Sequence, residues 1–197
     1  MTIGETIETK IETEKSFLKT YSFSNRELIK QCILETKDTL EVNPRIMIFG
    51  KPGIMHREVG FFSDESIGYY YSRQLSRSKP LTPSLKILLA MVNEYFKSEF
   101  NGILINAYKD GCDSIGDHSD DETNLDPVGV VAISDGAIRK FRIREKTSKK
   151  IVMDIPTLPN EIIHMGGDFQ KEFLHGIPVQ KKIKEKRYSL TFRKHTI

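Results

Sequence analysis

The strongest constraint on the fold is a close succession of strand-like segments that begins after Phe100. Ile103–Tyr108, Val128–Ser134, Ala137–Arg144, Ile151–Ile155, Glu161–Met165 and Tyr188–Phe192 are rich in β-branched and aromatic residues, with turn residues between them. Strands spaced this way point to a sandwich or jelly roll rather than a parallel α/β sheet. Helical patterns lie upstream. Asn25–Glu41 places Leu28, Ile29, Cys32 and Ile33 on one stripe. A second helix follows Thr82, a capping residue, with Pro83 in its first turn; Leu85, Leu88, Leu89, Val92, Tyr95 and Phe96 recur at helical spacing. Between the helices, Ile46–Ser72 reads as short strands broken by Gly50, Pro52-Gly53 and Gly60. The expected class is therefore α+β, with helices first and a compact β core last. Residues 1–18 repeat Ile, Glu, Thr and Lys with little to bury, and are expected to form a disordered tail. The expected division is tail 1–18, helices and lid 19–99, and core 100–197.

Composition narrows the function classes. At 197 residues and 38% hydrophobic, the chain suits one domain with one real core. Thirty Lys and Arg against 27 Asp and Glu leave a net charge of +3, which excludes a histone-like polycation. No stretch approaches the ~18 apolar residues of a membrane span. The N-terminus is polar and acidic, unlike a secretory signal. Two cysteines, Cys32 and Cys112, make no disulfide framework and suit an intracellular, reducing home.

The charge is unevenly spread. Asp110–Asp126 holds seven acids; Arg139–Lys150 holds seven bases against Glu145; Lys181–Arg187 holds five bases and Glu185. An acidic centre between basic stretches suits a cation site beside a polyanion-binding surface; on charge alone, a set of Lys-rich solvated hairpins is the commoner reading.

Two motifs carry chemistry. In Arg187-Tyr188-Ser189-Leu190-Thr191-Phe192-Arg193, alternation puts Tyr188, Leu190 and Phe192 on one face and Arg187, Ser189, Thr191 and Arg193 on the other. The bland reading is an outer strand with its basic face in water. The functional reading buries both faces, which needs an anionic guest; a small dicarboxylate fits, because Arg binds carboxylates bidentately. The second motif is His118-Ser119-Asp120, whose i and i+2 side chains can grip one metal ion. His175, in Phe173-Leu174-His175-Gly176-Ile177-Pro178, is the best third ligand; His56, His164 and His195 lack comparable surroundings. Two His and one carboxylate form the facial triad of non-haem Fe(II) oxygenases, with zinc hydrolysis the competing use.

The order is His-x-Asp, a His 57 residues after His118, an Arg 12 further on and a second Arg six beyond that. Together with the segment Asn106–Glu122 and the Arg-x-x-x-Thr-Phe-Arg ending, this order resembles the AlkB family of Fe(II)/2-oxoglutarate dioxygenases, specifically its branch that repairs alkylated double-stranded DNA. The likeness runs from about Ile46 to Lys194. It implies a double-stranded β-helix (jelly-roll) core with a nucleotide-recognition lid. It implies that His118, Asp120 and His175 hold Fe(2+), and that Asn106, Tyr108, Arg187, Thr191 and Arg193 hold 2-oxoglutarate, with O2 as the other co-substrate. Asp121 would face the methylated base. Phe49, Gly50 and Lys51 would form the finger loop that fills the gap of an extruded base. Arg57 would help flip or hold nucleotides, and Tyr69, Tyr70 and Tyr71 would wall the base pocket. Chemistry on a stacked base needs such extrusion, a wedge and an aromatic receptacle. Read alone, Phe49 and the tyrosines are ordinary core residues.

The resemblance implies a monomeric, nuclear (in a eukaryote) enzyme that demethylates 1-methyladenine and 3-methylcytosine in duplex DNA, giving succinate, CO2 and formaldehyde. The two basic runs would contact phosphates. Ser119, Ser189 and the segment Met165–Gln170 depart from the duplex-repair branch. These departures keep a demethylase of RNA or single strands open. A protein-directed hydroxylase and a β-roll that binds nucleic acid without catalysis are the more distant rivals.

Overall fold

The computed structural model describes residues 3–48, 51–71, 74–120 and 126–194. Its first half runs β1 (Ile3–Glu12), β2 (Ser16–Phe23), α1 (Arg26–Thr36), β3 (Glu41–Val42), β4 (Arg45–Ile48), β5 (Lys51–Ile54), β6 (Glu58–Phe62), β7 (Gly68–Tyr71), β8 (Gln74–Arg77) and α2 (Pro83–Phe96). Its second half runs β9 (Gly102–Tyr108), β10 (Ile115–His118), β11 (Val130–Gly136), β12 (Lys140–Glu145), β13 (Ile151–Pro156), β14 (Glu161–Gly167), α3 (Phe169–Glu172), β15 (Phe173–Ile177) and β16 (Arg187–Arg193).

Both long helices begin where their sequences can cap them. Asn25 accepts a hydrogen bond from the Leu28 amide, and Thr82 accepts one from Leu85, with Pro83 just inside. α1 ends at Thr36, short of the expected Glu41, and a 3-10 turn spans Lys37–Thr39. The Thr36 hydroxyl donates to the Cys32 carbonyl at 2.7 Å, closing the last turn.

An eight-stranded sheet in the order β1-β2-β14-β11-β16-β9-β6-β3 faces a four-stranded sheet in the order β10-β15-β12-β13. Two hairpins, β4-β5 and β7-β8, stand apart from both. The large sheet has two different faces. Ile103, Ile105, Val131, Ile133, Ile162, Leu190 and Phe192 pack with Ile29, Cys32 and Ile33 of α1 and Leu85, Leu88 and Val92 of α2. Its other face meets the small sheet through Tyr108, Val130, Ile163 and Met165, against Phe141, Ile143, Ile155, Phe173 and Ile177. Each such fully buried aliphatic side chain contributes about 1.5–3 kcal/mol relative to leaving it in water. The α+β jelly-roll expectation holds.

The expected tail does not. Over residues 3–23 the chain forms the β1-β2 hairpin, and β2 pairs with β14 along Glu161–Gly167. Ile3, Ile11 and Leu18 are buried. Composition misled because an edge hairpin needs few apolar residues: one covered side suffices, and Thr is itself a strand former. The expected boundary at residue 99 is not a break either, since β3 and β6 continue the sheet through β9.

Candidate metal and co-substrate site

The site lies between the sheets, on the inner face of the large one. Along β16, Tyr188, Leu190 and Phe192 face the helices. Arg187, Ser189, Thr191 and Arg193 line a cavity. Both faces are buried, so the reading with a solvated basic face is overturned. Strand pairing extends the polar wall sideways: Asn106 sits opposite Ser189 and Tyr108 opposite Arg187 on β9, and Ser134 opposite Ser189 on β11.

Across the cavity, His118 ends β10, Asp120 follows it, and His175 lies in β15 directly opposite His118. One donor atom from each lies within 4.8 Å of the others. His118 Nε2 is 3.7 Å and His175 Nε2 3.5 Å from the two Asp120 oxygens. The His118 Nδ1 bonds the Gly116 carbonyl at 2.9 Å, which turns Nε2 toward Asp120. Phe141 stacks on the His175 ring with centroids 5.2 Å apart. The Asp120 amide donates to Gln170 Oε1 at 2.9 Å, fixing the backbone under the carboxylate.

The electrostatics suit a divalent cation. Burial, reinforced by His175, pushes His118 down to about 4, so its imidazole is neutral and able to donate a lone pair at neutral pH. Burial by itself would raise Asp120, but Arg193 and the two histidines outweigh it and hold the carboxyl well below its usual range. Arg193 Nη2 lies 2.9 Å from Asp120 Oδ1, with both side chains buried. Arg193 thus addresses the Asp120 carboxylate as well as the cavity.

Arg187 is 3% exposed. Its Nε donates to Thr157 Oγ1 at 3.0 Å and its Nη2 to Ser134 Oγ at 2.9 Å, and its guanidinium lies 5.2 Å from the Tyr108 ring centroid. Its Nη1 is buried with no hydrogen-bond partner among the described residues. A buried cationic donor left open beside a cavity fits an absent carboxylate. The two-imidazole, one-carboxylate set opposite it equally fits Fe(II) with open positions.

The expected site residues divide three ways. His118, Asp120, His175, Asn106, Tyr108, Arg187, Thr191 and Arg193 meet in one cavity. Arg57 joins them, 6% exposed, its Nε donating to Asn106 Oδ1 at 2.7 Å. Lys51 is exposed at the start of β5. Phe49, Gly50 and Asp121 lie outside the described residues. Tyr69, Tyr70 and Tyr71 form β7, and their side chains lie outside the description too. Ser134, Thr157 and Gln170 were missed as supports; only Gln170 sat in a motif singled out beforehand. His164 bonds the Val128 carbonyl at 2.7 Å on the helix side of the sheet, a packed strand residue outside the cavity.

The basic run Arg139–Lys150 is not the open phosphate surface its count suggested. Arg139 is 1% exposed. Arg142 forms a two-pronged pair with Asp154, which Lys140 also approaches, and Arg144 pairs with Asp117 at 2.6 Å. Lys146 Nζ donates to Ser119 Oγ at 2.8 Å. Lys149 and Lys150 are exposed, as are Lys181, Lys182 and Lys184 in the second run.

Comparison with known proteins agrees with this geometry. A family model described as the 2OG-Fe(II) oxygenase superfamily matches residues 21–193. Human DNA oxidative demethylase ALKBH2 is 35% identical over 158 residues, 76% of this chain and 60% of that protein. The rat alpha-ketoglutarate-dependent dioxygenase alkB homolog 3 is 34% identical over 135 residues, 64% of this chain and 46% of the other. The chain thus spans less than two thirds of the length of these relatives. Among solved structures, OsALKBH1 superposes with a TM-score of 0.56 at 13% identity, over 95% of this chain and 100% of that one. A 2OG-Fe(II) oxygenase family oxidoreductase from Burkholderia pseudomallei gives 0.55 at 16%, over 87% and 80%. At such identities the superpositions speak for the fold. With the family match over most of its length, the chain belongs to the 2OG-Fe(II) oxygenase superfamily.

Proposed function

We propose that this protein is an Fe(II)- and 2-oxoglutarate-dependent dioxygenase that demethylates N-alkylated bases, such as 1-methyladenine and 3-methylcytosine, in double-stranded DNA. The observation that carries the reading is the convergence of His118, Asp120 and His175 opposite Arg187, whose buried Nη1 lacks a partner among the described residues. His118, Asp120 and His175 would hold the iron. Arg187, with Asn106, Tyr108, Thr191 and Arg193, would hold 2-oxoglutarate. When bound, iron with 2-oxoglutarate and O2 supplies the oxidation of an N-methyl group, giving succinate and CO2 and, from the methyl carbon, formaldehyde.

The chain's own residues provide orientation and shielding. Arg187, held by Thr157 and Ser134, presents one donor edge to a carboxylate. Arg193 keeps Asp120 ionised and turned into the cavity. Phe141 and Met165 close the cavity with apolar surface, which limits water around the reacting centre.

The DNA reading rests on the relatives named DNA oxidative demethylase and on the lid residues. Phe49, Gly50 and Lys51 would fill the gap that the extruded base leaves in the duplex, Arg57 would help flip or hold the nucleotide, Tyr69–Tyr71 would wall the base pocket, and Asp121 would face the base. Lys149, Lys150, Lys181, Lys182 and Lys184 would meet phosphates, so affinity should fall steeply with salt. On this reading the protein would act as a monomer and, in a eukaryotic cell, in the nucleus. No helix among the described residues is long and apolar enough to cross a membrane.

Formaldehyde release from one methylated oligonucleotide, free and annealed, with iron and 2-oxoglutarate each omitted in turn, tests the reading. Turnover requiring both and faster on the duplex is expected. Turnover without either overturns the enzyme class, and a strong preference for the free strand overturns the duplex assignment.

A further inference from the structure

The strand pair that joins the two histidines is too slight to set their spacing alone. β10 has four residues and pairs with β15 at Ile115↔Ile177 and His118↔His175, with a register shift between the two. A ladder this short and irregular specifies its register weakly. Yet both imidazoles must reach one ion, and metal–ligand distances tolerate a few tenths of an ångström.

Something outside the ladder must hold it, and Arg139 is in place to do so. This side chain, among the largest that are fully buried, directly precedes β12. Its Nη2 donates to the Asp113 carbonyl at 2.9 Å and to the Pro178 carbonyl at 2.8 Å. Asp113 lies just ahead of β10 and Pro178 directly follows β15, so one nitrogen ties the two strands together beside Ile115↔Ile177. Its Nη1 donates to the Asp110 carbonyl at 2.9 Å, and its Nε approaches Gln180 Oε1 at 3.4 Å. The tied loops touch closely: Gln180 donates its amide to the Gly111 carbonyl at 2.7 Å, and a Cβ on Gly111 would lie 1.9 Å from the Gln180 oxygen.

The same residue reaches the co-substrate wall. Its guanidinium lies 5.8 Å from the Tyr108 ring centroid, and Arg187 lies 5.2 Å from that ring. The Thr157 hydroxyl accepts from both the Arg139 amide and Arg187 Nε. Burying a guanidinium is costly unless its donors are met, and among the described residues Arg139 meets them with three backbone carbonyls and an amide oxygen. A planar fork can reach acceptors on several loops at once; an ammonium cannot.

We infer that Arg139 is a positioning residue that sets the His118–His175 spacing by clamping the loop before β10 to the loop after β15. The inference rests on the reading of His118, Asp120 and His175 as metal ligands. The test uses Co(II) as the probe, followed by its visible absorption, on the wild type, Arg139→Gln, Arg139→Lys and His175→Ala. In both Arg139 variants the Co(II) dissociation constant should rise about 10–100-fold, with an altered absorption band, while far-UV circular dichroism stays native. If Arg139→Gln fails to fold, Arg139→Lys, which keeps the charge but loses the fork, carries the same measurement. A constant within twofold of wild type in a folded Arg139 variant, even with a lower melting temperature of the metal-free protein, overturns the inference. That failure is distinct from failure of the metal reading, which would show as absent Co(II) binding in the wild type or unchanged binding in His175→Ala.

Discussion

The two faces of the large sheet are built from the same strands and do opposite work. Toward α1 and α2, Leu190, Phe192, Ile105 and Ile133 make an apolar layer against the helices. One residue along in each strand, Arg187, Ser189, Thr191, Asn106 and Ser134 face the cavity, together with Asp120 from across it. Stability comes mainly from the first face; the second holds charges that folding alone does not favour. The lesson is that a period of two lets one strand serve packing and chemistry at once, provided both sides are covered.

Removing the acid of the inner face should have the largest effect. Asp120→Ala deletes a proposed metal ligand and leaves Arg193 buried beside a lost partner. Formaldehyde release should fall by about a thousandfold or more, and urea unfolding should show a loss of about 3–5 kcal/mol. Activity within tenfold of wild type would break the assignment of this face to catalysis.

On the outer face, Leu190→Ala should cost about 2–5 kcal/mol of stability in the same titration. Turnover per folded molecule should stay within a few-fold at temperatures where the variant is folded. A specific loss of 2-oxoglutarate affinity instead would show that the two faces are not separable.

Arg187→Met sharpens the contrast in the other direction. It removes a buried cation with an open donor, so the melting temperature should not fall. The KM for 2-oxoglutarate should rise about a hundredfold, measured by succinate production. A marked loss of stability with unchanged KM would reassign Arg187 to structure.

The smallest effect belongs to the helical layer itself. Glu35 of α1 accepts from the Ser84 hydroxyl at 2.7 Å and the Ser84 amide at 3.2 Å, fastening α1 to the start of α2. Slight burial opposes ionisation, but hydrogen bonds from Thr82, Ser84 and Gln31 outweigh it and bring Glu35 down to about 2 from 4.5. A depressed carboxyl stabilises above its unfolded value and loses that contribution as pH falls toward the folded one. Glu35→Gln should therefore cost about 1 kcal/mol at pH 7, and the difference from wild type should shrink between pH 4.5 and 2, with catalysis untouched. A difference independent of pH would remove the charged cap.

Much of this was legible beforehand for local reasons. Alternation in Arg187–Arg193, the His118-Ser119-Asp120 pair and the capped α2 are patterns within a few contiguous residues. The supports of the site were not. Ser134 and Thr157 reach Arg187 from 53 and 30 residues away, and Gln170 reaches Asp120 from 50. The tail was misread because Thr, Glu and Lys suit disorder and an edge hairpin alike; only β14 beside it distinguishes them. The pairing within the basic run was hidden for a related reason. A count of Arg142 and Arg144 cannot see Asp154 across the β12-β13 ladder or Asp117 on β10.

The amino-acid sequence by itself determined which residues can share a face and which types of ligand the chain owns, because periodicity and side-chain chemistry are local. Tertiary structure alone decided which charges meet each other and which meet a guest. Arg193 turns to Asp120, Arg142 to Asp154, Arg139 to three carbonyls, and Arg187 keeps one buried donor without a partner among the described residues. In a low-dielectric interior the partner decides whether a charge is tolerated, and partners are chosen by strand order and register, which join residues far apart along the chain.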